Sequence, residues 1–314
     1  MQNAYLALEI GGTKLQLTLG DEKGTIVKRQ RLSVQPERGG AGIRTQIQNV
    51  LPALLTNVKL VGVGVGFGGP VDWKTGRIAR SHQIEGWSEF DLAGWLSPLV
   101  QAPVVVDNDA NVAALGEARR GAGVGHDSVS YITLGSGVGG GLVTNGAIYH
   151  GATPGEAEIG HVCLDRTGTT VESRCSGWAV DARIRELKAT APDSPLARAL
   201  GNETGGEARH LAAALQARDP EARKILQELA EDLALGLSHV VHLFHPEVLI
   251  LGGGLSGVGE PLRANVETAL KPLVMKVFLS SLRVKLASLG ADAVPVGALE
   301  LAREAIQADC FGRA

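Results

Sequence analysis

Short apolar runs alternate with longer amphipathic stretches along this chain, and that order predicts an α/β protein with a mixed sheet in each half. The apolar runs end at glycine or charged residues, which is typical of strands. The predicted strands are Tyr5–Ile10, Leu15–Leu19, Thr25–Leu32, Leu60–Val65, Pro103–Val106, Ser130–Leu134, Gly141–Thr144 and Glu247–Leu251. The predicted helices are Ile43–Leu55, a helix ending at Arg120, Gly177–Lys188, Glu207–Ala217, Pro220–Leu243, Glu260–Leu273 and Val296–Ala308.

One arrangement, an apolar strand followed by a glycine turn and a second apolar strand, occurs twice. LALEIGGTKLQLTL carries the first turn and YITLGSGVGGGLVT the second. Glycine lets backbone N–H groups approach a ligand closely, so two such turns could hold a polyphosphate. A dinucleotide-binding turn opens into a helix, whereas both of these open into strands, which argues against a nicotinamide or flavin site. Ordinary hairpin turns remain the alternative interpretation.

Composition and charge exclude several classes of protein. The chain has 314 residues and a formal net charge of −3, and it shows no basic stripe of the kind that nucleic-acid binders carry. No apolar run is long enough to span a bilayer, and the N-terminus lacks the features of a signal peptide. Three cysteines make no disulfide framework. We therefore expect a cytoplasmic protein with neither a nucleic-acid nor a membrane partner.

A carboxylate that follows a short apolar strand is the first candidate for chemistry. Asp109 comes just after that strand and at the start of a helix, and ligands collect at the carboxyl ends of strands in α/β sheets. A carboxylate there could accept the proton of a hydroxyl that attacks a phosphoryl group. Alternatively, Asn108 or Asp109 only caps the helix that follows.

A second group of polar residues lies further along the chain. Glu158 and His161 are three residues apart, and Glu172 follows after a short loop. Together they supply the hydrogen-bond donors and acceptors that a sugar's clustered hydroxyls require. Taken alone, His161 could equally be a satisfied buried histidine.

The motifs EIGGTK, VVVDNDAN, ITLGSGVGGG, AEIGH and VLILGGG, in this order and over nearly the whole chain, resemble those of the ROK family. That family comprises bacterial glucokinases, fructokinases, N-acetylhexosamine kinases and related repressors. The resemblance implies the actin-like, hexokinase-type ATPase fold, with two α/β domains hinged over a cleft. The smaller domain is expected at 1–116 plus 296–314 and the larger at 117–295.

The resemblance also implies roles for particular residues. Asp109 would be the general base, with ATP and Mg²⁺ as cofactors, the metal near Glu9. The expected sugar-binding residues are Gly69, Asn108, Asp109, Glu158, His161 and Glu172, and Trp87 is a further candidate that could equally be core. The expected ATP-binding residues are Glu9, Gly11, Gly12, Thr13, Lys14, Thr133, Gly135, Ser136, Gly137, Gly253 and Gly254. Relatives in the family are dimers or tetramers, so a homodimer or homotetramer is expected.

The chain departs from the family pattern where many members hold a structural zinc with a histidine and three cysteines. The cysteine loop is absent here, and Cys163 and Cys175 lack the required spacing, so no zinc is expected. The expected reaction is ATP-dependent phosphorylation of a hexose, with glucose giving glucose 6-phosphate. Fructose, mannose and N-acetylhexosamines remain open as substrates, and polyphosphate is an alternative donor.

Two non-catalytic alternatives also follow from the family. A sugar-sensing repressor would carry an additional N-terminal helix-turn-helix domain, and the first glycine turn begins at Gly11, which leaves no room for one. An inactive sugar-binding module would not need Asp109 and both glycine turns.

Overall fold

The computed structural model describes residues 2–81, 84–155, 157–201 and 204–311, and it contains two five-stranded sheets with helices packed on them. The strands are β1 Gln2–Ile10, β2 Lys14–Gly20, β3 Ile26–Ser33, β4 Val58–Phe67, β5 Val71–Asp72, β6 Arg77–Ile78, β7 Val104–Asn108, β8 Ser128–Leu134, β9 Val138–Thr144, β10 Ala147–Ile148, β11 Val248–Gly252 and β12 Arg283–Leu286. The helices are α1 Gly39–Leu54, α2 Leu92–Val100, α3 Asp109–Arg120, α4 Val171–Cys175, α5 Gly177–Thr190, α6 Pro195–Arg198, α7 Leu211–Gln216, α8 Pro220–Phe244, α9 Glu260–Leu270 and α10 Ala293–Phe311. The described helices include none that is both long and apolar enough to cross a membrane.

The first sheet has the strand order β3-β2-β1-β4-β7. Its first three strands pair antiparallel, while β1, β4 and β7 run parallel. Ile10 pairs with Phe67, and Phe67 pairs with Asn108. The carboxyl ends of these parallel strands are therefore in register, and the loops that follow them begin side by side.

The second sheet has the order β10-β9-β8-β11-β12, in which β8, β11 and β12 run parallel. Gly252, the last residue of β11, pairs with Thr133 near the end of β8. The turn after β8 and the glycine segment after β11 consequently leave the sheet at the same edge.

The chain divides into two compact units, one formed by 1–125, 141–157 and 291–314 and the other by 126–140 and 158–290. Each has its own apolar core. In the first unit, Leu8 of β1 and Val65 of β4 are buried in the same apolar cluster as Ile43 of α1. In the second, Leu229 and Leu233 of α8 are buried in the same apolar cluster as Leu249 of β11. The segment 141–157, which the predicted boundaries assign to the larger domain, packs with the first unit.

Several element boundaries differ from those predicted, each for a local reason. The predicted helix Glu207–Ala217 begins as a 3-10 turn, Glu207–His210, and only then becomes α7. Helix α9 ends at Leu270, three residues early, because Pro272 cannot continue it. Helix α2 was not predicted because it contains Pro98; Asp91 caps its start, accepting a hydrogen bond from the N–H of Gly94 at 2.8 Å.

Candidate active site

Asp109 is the first residue of α3 and follows directly on β7. A methyl group built on Gly68, in the loop after β4, would lie 3.4 Å from Asp109 Oδ2. It would lie equally close to the Cα atom of Gly11. The N–H of Gly68 donates to the carbonyl of Ile10 at 2.8 Å, which ties the two loops together. The Asp109 carboxylate therefore lies at the carboxyl edge of β1, β4 and β7, close to the first glycine turn.

Asn108 is the N-cap of α3. Its side-chain oxygen accepts hydrogen bonds from the N–H of Ala110 at 2.8 Å and of Asn111 at 3.3 Å. Its amide nitrogen donates to the carbonyl of Gly69 at 3.2 Å. The capping role that the sequence left open between two residues belongs to Asn108, so capping does not account for the Asp109 carboxylate.

The first glycine turn joins β1 to β2 and is closed by a hydrogen bond from the N–H of Gly11 to the carbonyl of Lys14 at 2.9 Å. Gly12 is half-buried and Thr13 is exposed. Glu9, on β1, lies beside the turn, and Lys14 Nζ is 3.0 Å from both of its carboxylate oxygens. Gln16 also donates to this carboxylate. The predicted metal-binding carboxylate is thus already charge-compensated by the lysine of its own turn.

Gly69 and Trp87 were also predicted near the sugar, and the structure gives them different surroundings. At Gly69, a methyl group would lie only 3.0 Å from the carbonyl oxygen of Arg80, so a side chain there would be crowded. Trp87 is a core residue, 1% exposed, with its ring packed edge-on against Phe67 and Phe90.

A buried polar network behind Asp109 was missed by sequence reasoning. Asp107 Oδ1 accepts from the N–H of Asn108 at 2.7 Å and from Asn111 Nδ2 at 3.1 Å. Its other oxygen lies 2.6 Å from His150 Nε2. The ring of His150 stacks on Trp73 at 4.1 Å between centroids. This network fixes the β7–α3 corner, and its only sequence signal was an extra acidic residue before the Asn-Asp pair.

The network also fixes the segment that follows β10. Asn111 Nδ2 donates to the carbonyl of Gly155 at 3.1 Å as well as to Asp107. A methyl group built on Gly155 would lie 2.2 Å from the carbonyl oxygen of His150, so this position requires glycine. The corner that carries Asp109 and the segment 149–155 are therefore held as one structure.

In the second unit, Glu172 lies against the second glycine turn. Its Oε2 accepts a hydrogen bond from the N–H of Val138 at 2.9 Å, and a methyl group on Gly137 would lie 2.5 Å from the same oxygen. The turn itself is closed by the N–H of Gly135 donating to the carbonyl of Gly137 at 3.0 Å. Glu172, which was predicted as a sugar ligand, thus orders the predicted phosphate turn.

Glu158 precedes the 3-10 turn Ile159–His161 and His161 is its last residue, and both side chains are exposed. Between them, Gly160 packs so tightly that a methyl group there would lie 2.2 Å from the carbonyl oxygen of Val138. The same methyl group would lie 3.4 Å from Cβ of Glu172. The structure therefore brings the predicted Glu158, His161 and Glu172 group into one region, and His161 is not the buried core histidine of the alternative interpretation.

The end of β8 and the glycine segment after β11 border a cavity of about 480 Å³. Gly135, Ser136 and Gly254 are among its lining residues. Gly253 has φ +78°, and a methyl group on it would lie 2.6 Å from backbone atoms of Leu134. Thr133 lies just before this turn, on β8. Three of the predicted ATP-binding residues of this unit, Gly135, Ser136 and Gly254, therefore line one pocket, and Thr133 and Gly253 are next to lining residues in the chain.

The residues present do not fit the family's structural zinc. The Cys175 thiol is buried and donates to the carbonyl oxygen of Leu229 at 3.8 Å, and burial raises the pKa of this thiol to about 12. Cys163 and His161 are exposed. In the part of the chain that the structure describes, no group of three or more His, Cys, Asp or Glu side chains could hold a metal ion.

The loop that zinc would brace is closed by hydrogen bonds of its own. The N–H of Leu164 donates to the carbonyl of Thr169 at 2.7 Å. At the tip, the Asp165 carboxylate accepts from the Thr167 hydroxyl and from the N–H of Thr167 and Thr169. The hydroxyl of Thr167 and then that of Thr169 hold the pKa of Asp165 well below its usual range.

Comparison with known proteins decides the family, because the ROK family model matches residues 5–305. The chain belongs to the ROK family. This ROK chain is 30% identical over 308 residues to a glucokinase of Halalkalibacterium halodurans, covering 93% of each. It is 32% identical over 313 residues to a glucokinase of Streptomyces coelicolor, covering 95% of this chain and 97% of that relative.

A solved structure supports the same assignment. The crystal structure of a ROK family glucokinase from Streptomyces griseus in complex with glucose and AMPPNP has a TM-score of 0.83 and 32% identity to this ROK chain. The match covers 96% of this chain and 99% of that one. The ROK protein therefore has the actin-like, hexokinase-type ATPase fold that its motifs predicted, and it is a sugar kinase.

Proposed function

We propose that this ROK kinase transfers the γ-phosphoryl group of ATP to a hexose hydroxyl, with glucose as the first substrate and glucose 6-phosphate as the product. The place of Asp109 carries the proposal. Its carboxylate lies at the carboxyl edge of the parallel strands and near the first glycine turn, while Asn108 caps the helix. Glucose is favoured because the similar Streptomyces griseus enzyme was crystallised with glucose and AMPPNP.

In this reaction Asp109 acts as the general base. A sugar hydroxyl is a weak nucleophile at neutral pH, and a carboxylate within hydrogen-bond reach accepts its proton as the new P–O bond forms. The buried network of Asp107, Asn111 and His150 holds the corner on which Asp109 stands. Glu158, His161 and Glu172 would bind the remaining hydroxyls, with Gly69 and Asn108 beside the base.

The two glycine turns bind the phosphates in this proposal. The glycines of each turn let phosphate oxygens approach the backbone closely, and at the first turn Lys14, which is paired with Glu9, would turn to a phosphate oxygen. Mg²⁺ would enter with ATP and neutralise charge on the phosphate oxygens. Since both oxygens of Glu9 face Lys14, we expect Glu9 to reach the metal through its water molecules.

A coupled assay of ADP formation over a panel of glucose, fructose, mannose and N-acetylhexosamines tests the proposal. The expected result is sugar-dependent ADP formation with the highest kcat/KM for glucose. A higher kcat/KM for another hexose would show that glucose is not the first substrate, while the proposed reaction would stand. Transfer from polyphosphate in place of ATP would correct the donor, and the absence of activity with every sugar would contradict the proposal.

The same proposal places the enzyme in the cytoplasm as a homodimer or homotetramer. Light scattering of the purified full chain tests the assembly. A monomer at assay concentrations would contradict that part alone.

A further inference from the structure

An exposed tryptophan borders the cavity at the second glycine turn. Trp178 is 65% exposed. With Gly135 and Ser136, it is among the residues that line the cavity of about 480 Å³. Exposing an indole of this size forgoes the stabilisation that its burial would bring. By contrast, Trp87 is buried in the core of the first unit at 1% exposure.

The backbone fixes Trp178 next to the predicted phosphate turn. Trp178 follows Gly177, the first residue of α5, whose N–H donates to the carbonyl of Gly135 at 2.7 Å. A methyl group on Gly177 would lie 2.7 Å from the same carbonyl oxygen, so the helix start packs directly on the turn. Ser176 caps the helix, accepting from the N–H of Ala179 at 3.2 Å.

The rest of the cavity wall is equally well fixed. Asp181, one helical turn after Trp178, is buried and accepts hydrogen bonds from the N–H of Gly206 at 2.9 Å and of Ala208 at 2.7 Å. These bonds hold the 3-10 turn Glu207–His210 against α5. On another side of the cavity, Gly254 and Gly257 have nothing within 4 Å of an added methyl group, so they leave space open.

We infer that Trp178 is the stacking platform for the purine ring of the phosphoryl donor, and that this chain thereby selects a nucleotide over a donor without a base. The inference rests on the proposed function in taking Gly135–Gly137 as phosphate-binding. An aromatic face beside a phosphate-binding turn suits a nucleotide, because the base stacks while the turn binds its phosphates. A polyphosphate has no ring to stack and gains nothing from the indole.

The test compares Trp178→Ala, Trp178→Phe and the wild-type full chain in their binding of ADP and of tripolyphosphate, measured by calorimetry. Loss of one base–aromatic stack should weaken ADP binding about tenfold in Trp178→Ala, while tripolyphosphate binding stays within about twofold. Trp178→Phe keeps an aromatic face and should retain most of the ADP affinity. ADP should also quench tryptophan emission in the wild type and much less in Trp178→Phe.

Leu243→Ala is the matched control, since Leu243 is 75% exposed, belongs to the same unit and does not line the cavity. It should bind ADP as the wild type does. Unchanged ADP affinity in Trp178→Ala, or an equal loss of tripolyphosphate affinity, would overturn the inference. So would a change in oligomeric state with unaltered ADP binding, which would make Trp178 an interface residue.

The outcome is separable from that of the proposed function. Binding is measured without a sugar, so an enzyme that phosphorylates no hexose can still bind ADP through Trp178. If the wild type phosphorylates a hexose but Trp178→Ala binds ADP as tightly as the wild type does, this inference alone is overturned. Absence of ADP binding in the wild type would overturn it as well.

Discussion

Asp107 is a buried carboxylate that is 2% exposed and two residues from the proposed base. A buried charge is costly unless it is paired and hydrogen-bonded, and His150 supplies the partner from a distant part of the chain. The identity of that partner is not predictable from sequence, because the two residues are 43 positions apart and His150 lies outside every recognised motif. Asp109 was predictable only through the family motif, since its local spacing also suited a helix cap.

Replacing His150 should therefore destabilise the protein. His150→Ala leaves the Asp107 carboxylate buried without its ring partner, and we expect the free energy of unfolding to fall by about 3 kcal/mol. His150→Gln, whose amide can donate a hydrogen bond, should recover part of the loss. Urea denaturation followed by circular dichroism measures both variants. A loss of less than about 0.5 kcal/mol in His150→Ala would show that the pair contributes little.

The two described free cysteines should differ in reactivity. Burial raises the pKa of Cys175 to about 12, so at pH 8 only about one thiol in ten thousand is the reactive thiolate. Cys163 is exposed. Iodoacetamide followed by mass spectrometry should modify Cys163 and spare Cys175 in the folded protein, and modify both in urea. Modification of Cys175 in the folded protein at the rate of Cys163, or one equivalent of bound zinc, would contradict the account of this loop.

At the scale of elements, the strands that are continuous apolar runs were the most predictable. Periodicity located β1, β2, β4, β7, β8 and β11 within a few residues because each is an apolar run with a clear stop. Helix α2 and the short strands β5, β6, β10 and β12 were not predicted. Pro98 interrupts the helical pattern of α2, and strands of two to four residues are too short to show a periodic pattern. The register that aligns β1, β4 and β7 comes from tertiary pairing, which sequence alone does not encode locally.

Gly253 shows how an element end depends on glycine. Its φ of +78° disfavours side chains, and a methyl group would collide with the backbone of Leu134. Gly253→Ala should lower the free energy of unfolding by about 1–3 kcal/mol and raise the KM for ATP. Gly254→Ala, which meets nothing within 4 Å, should change stability by less than about 0.5 kcal/mol. Thermal unfolding and steady-state kinetics measure both effects, and equal stability of the two variants would contradict the packing argument.

At the scale of the whole molecule, each unit carries one glycine turn and one group of polar side chains. The first holds Asp109 with the turn after β1, and the second holds Glu158, His161 and Glu172 with the turn after β8. The repeated strand–turn–strand pattern and the family motifs predicted this arrangement of both units. What the sequence could not supply was the buried network at His150 and the exposed indole at Trp178, because both depend on contacts between distant segments.

The central claim is that Asp109 accepts the proton of a hexose hydroxyl during phosphoryl transfer from ATP. The most direct measurement is kcat of Asp109→Asn with saturating Mg-ATP and glucose, together with its equilibrium affinity for glucose. The variant keeps the shape of the side chain but lacks the basic oxygen. We predict a fall in kcat of about a thousandfold with glucose affinity within about threefold of the wild type. Turnover close to that of the wild type would contradict the assignment.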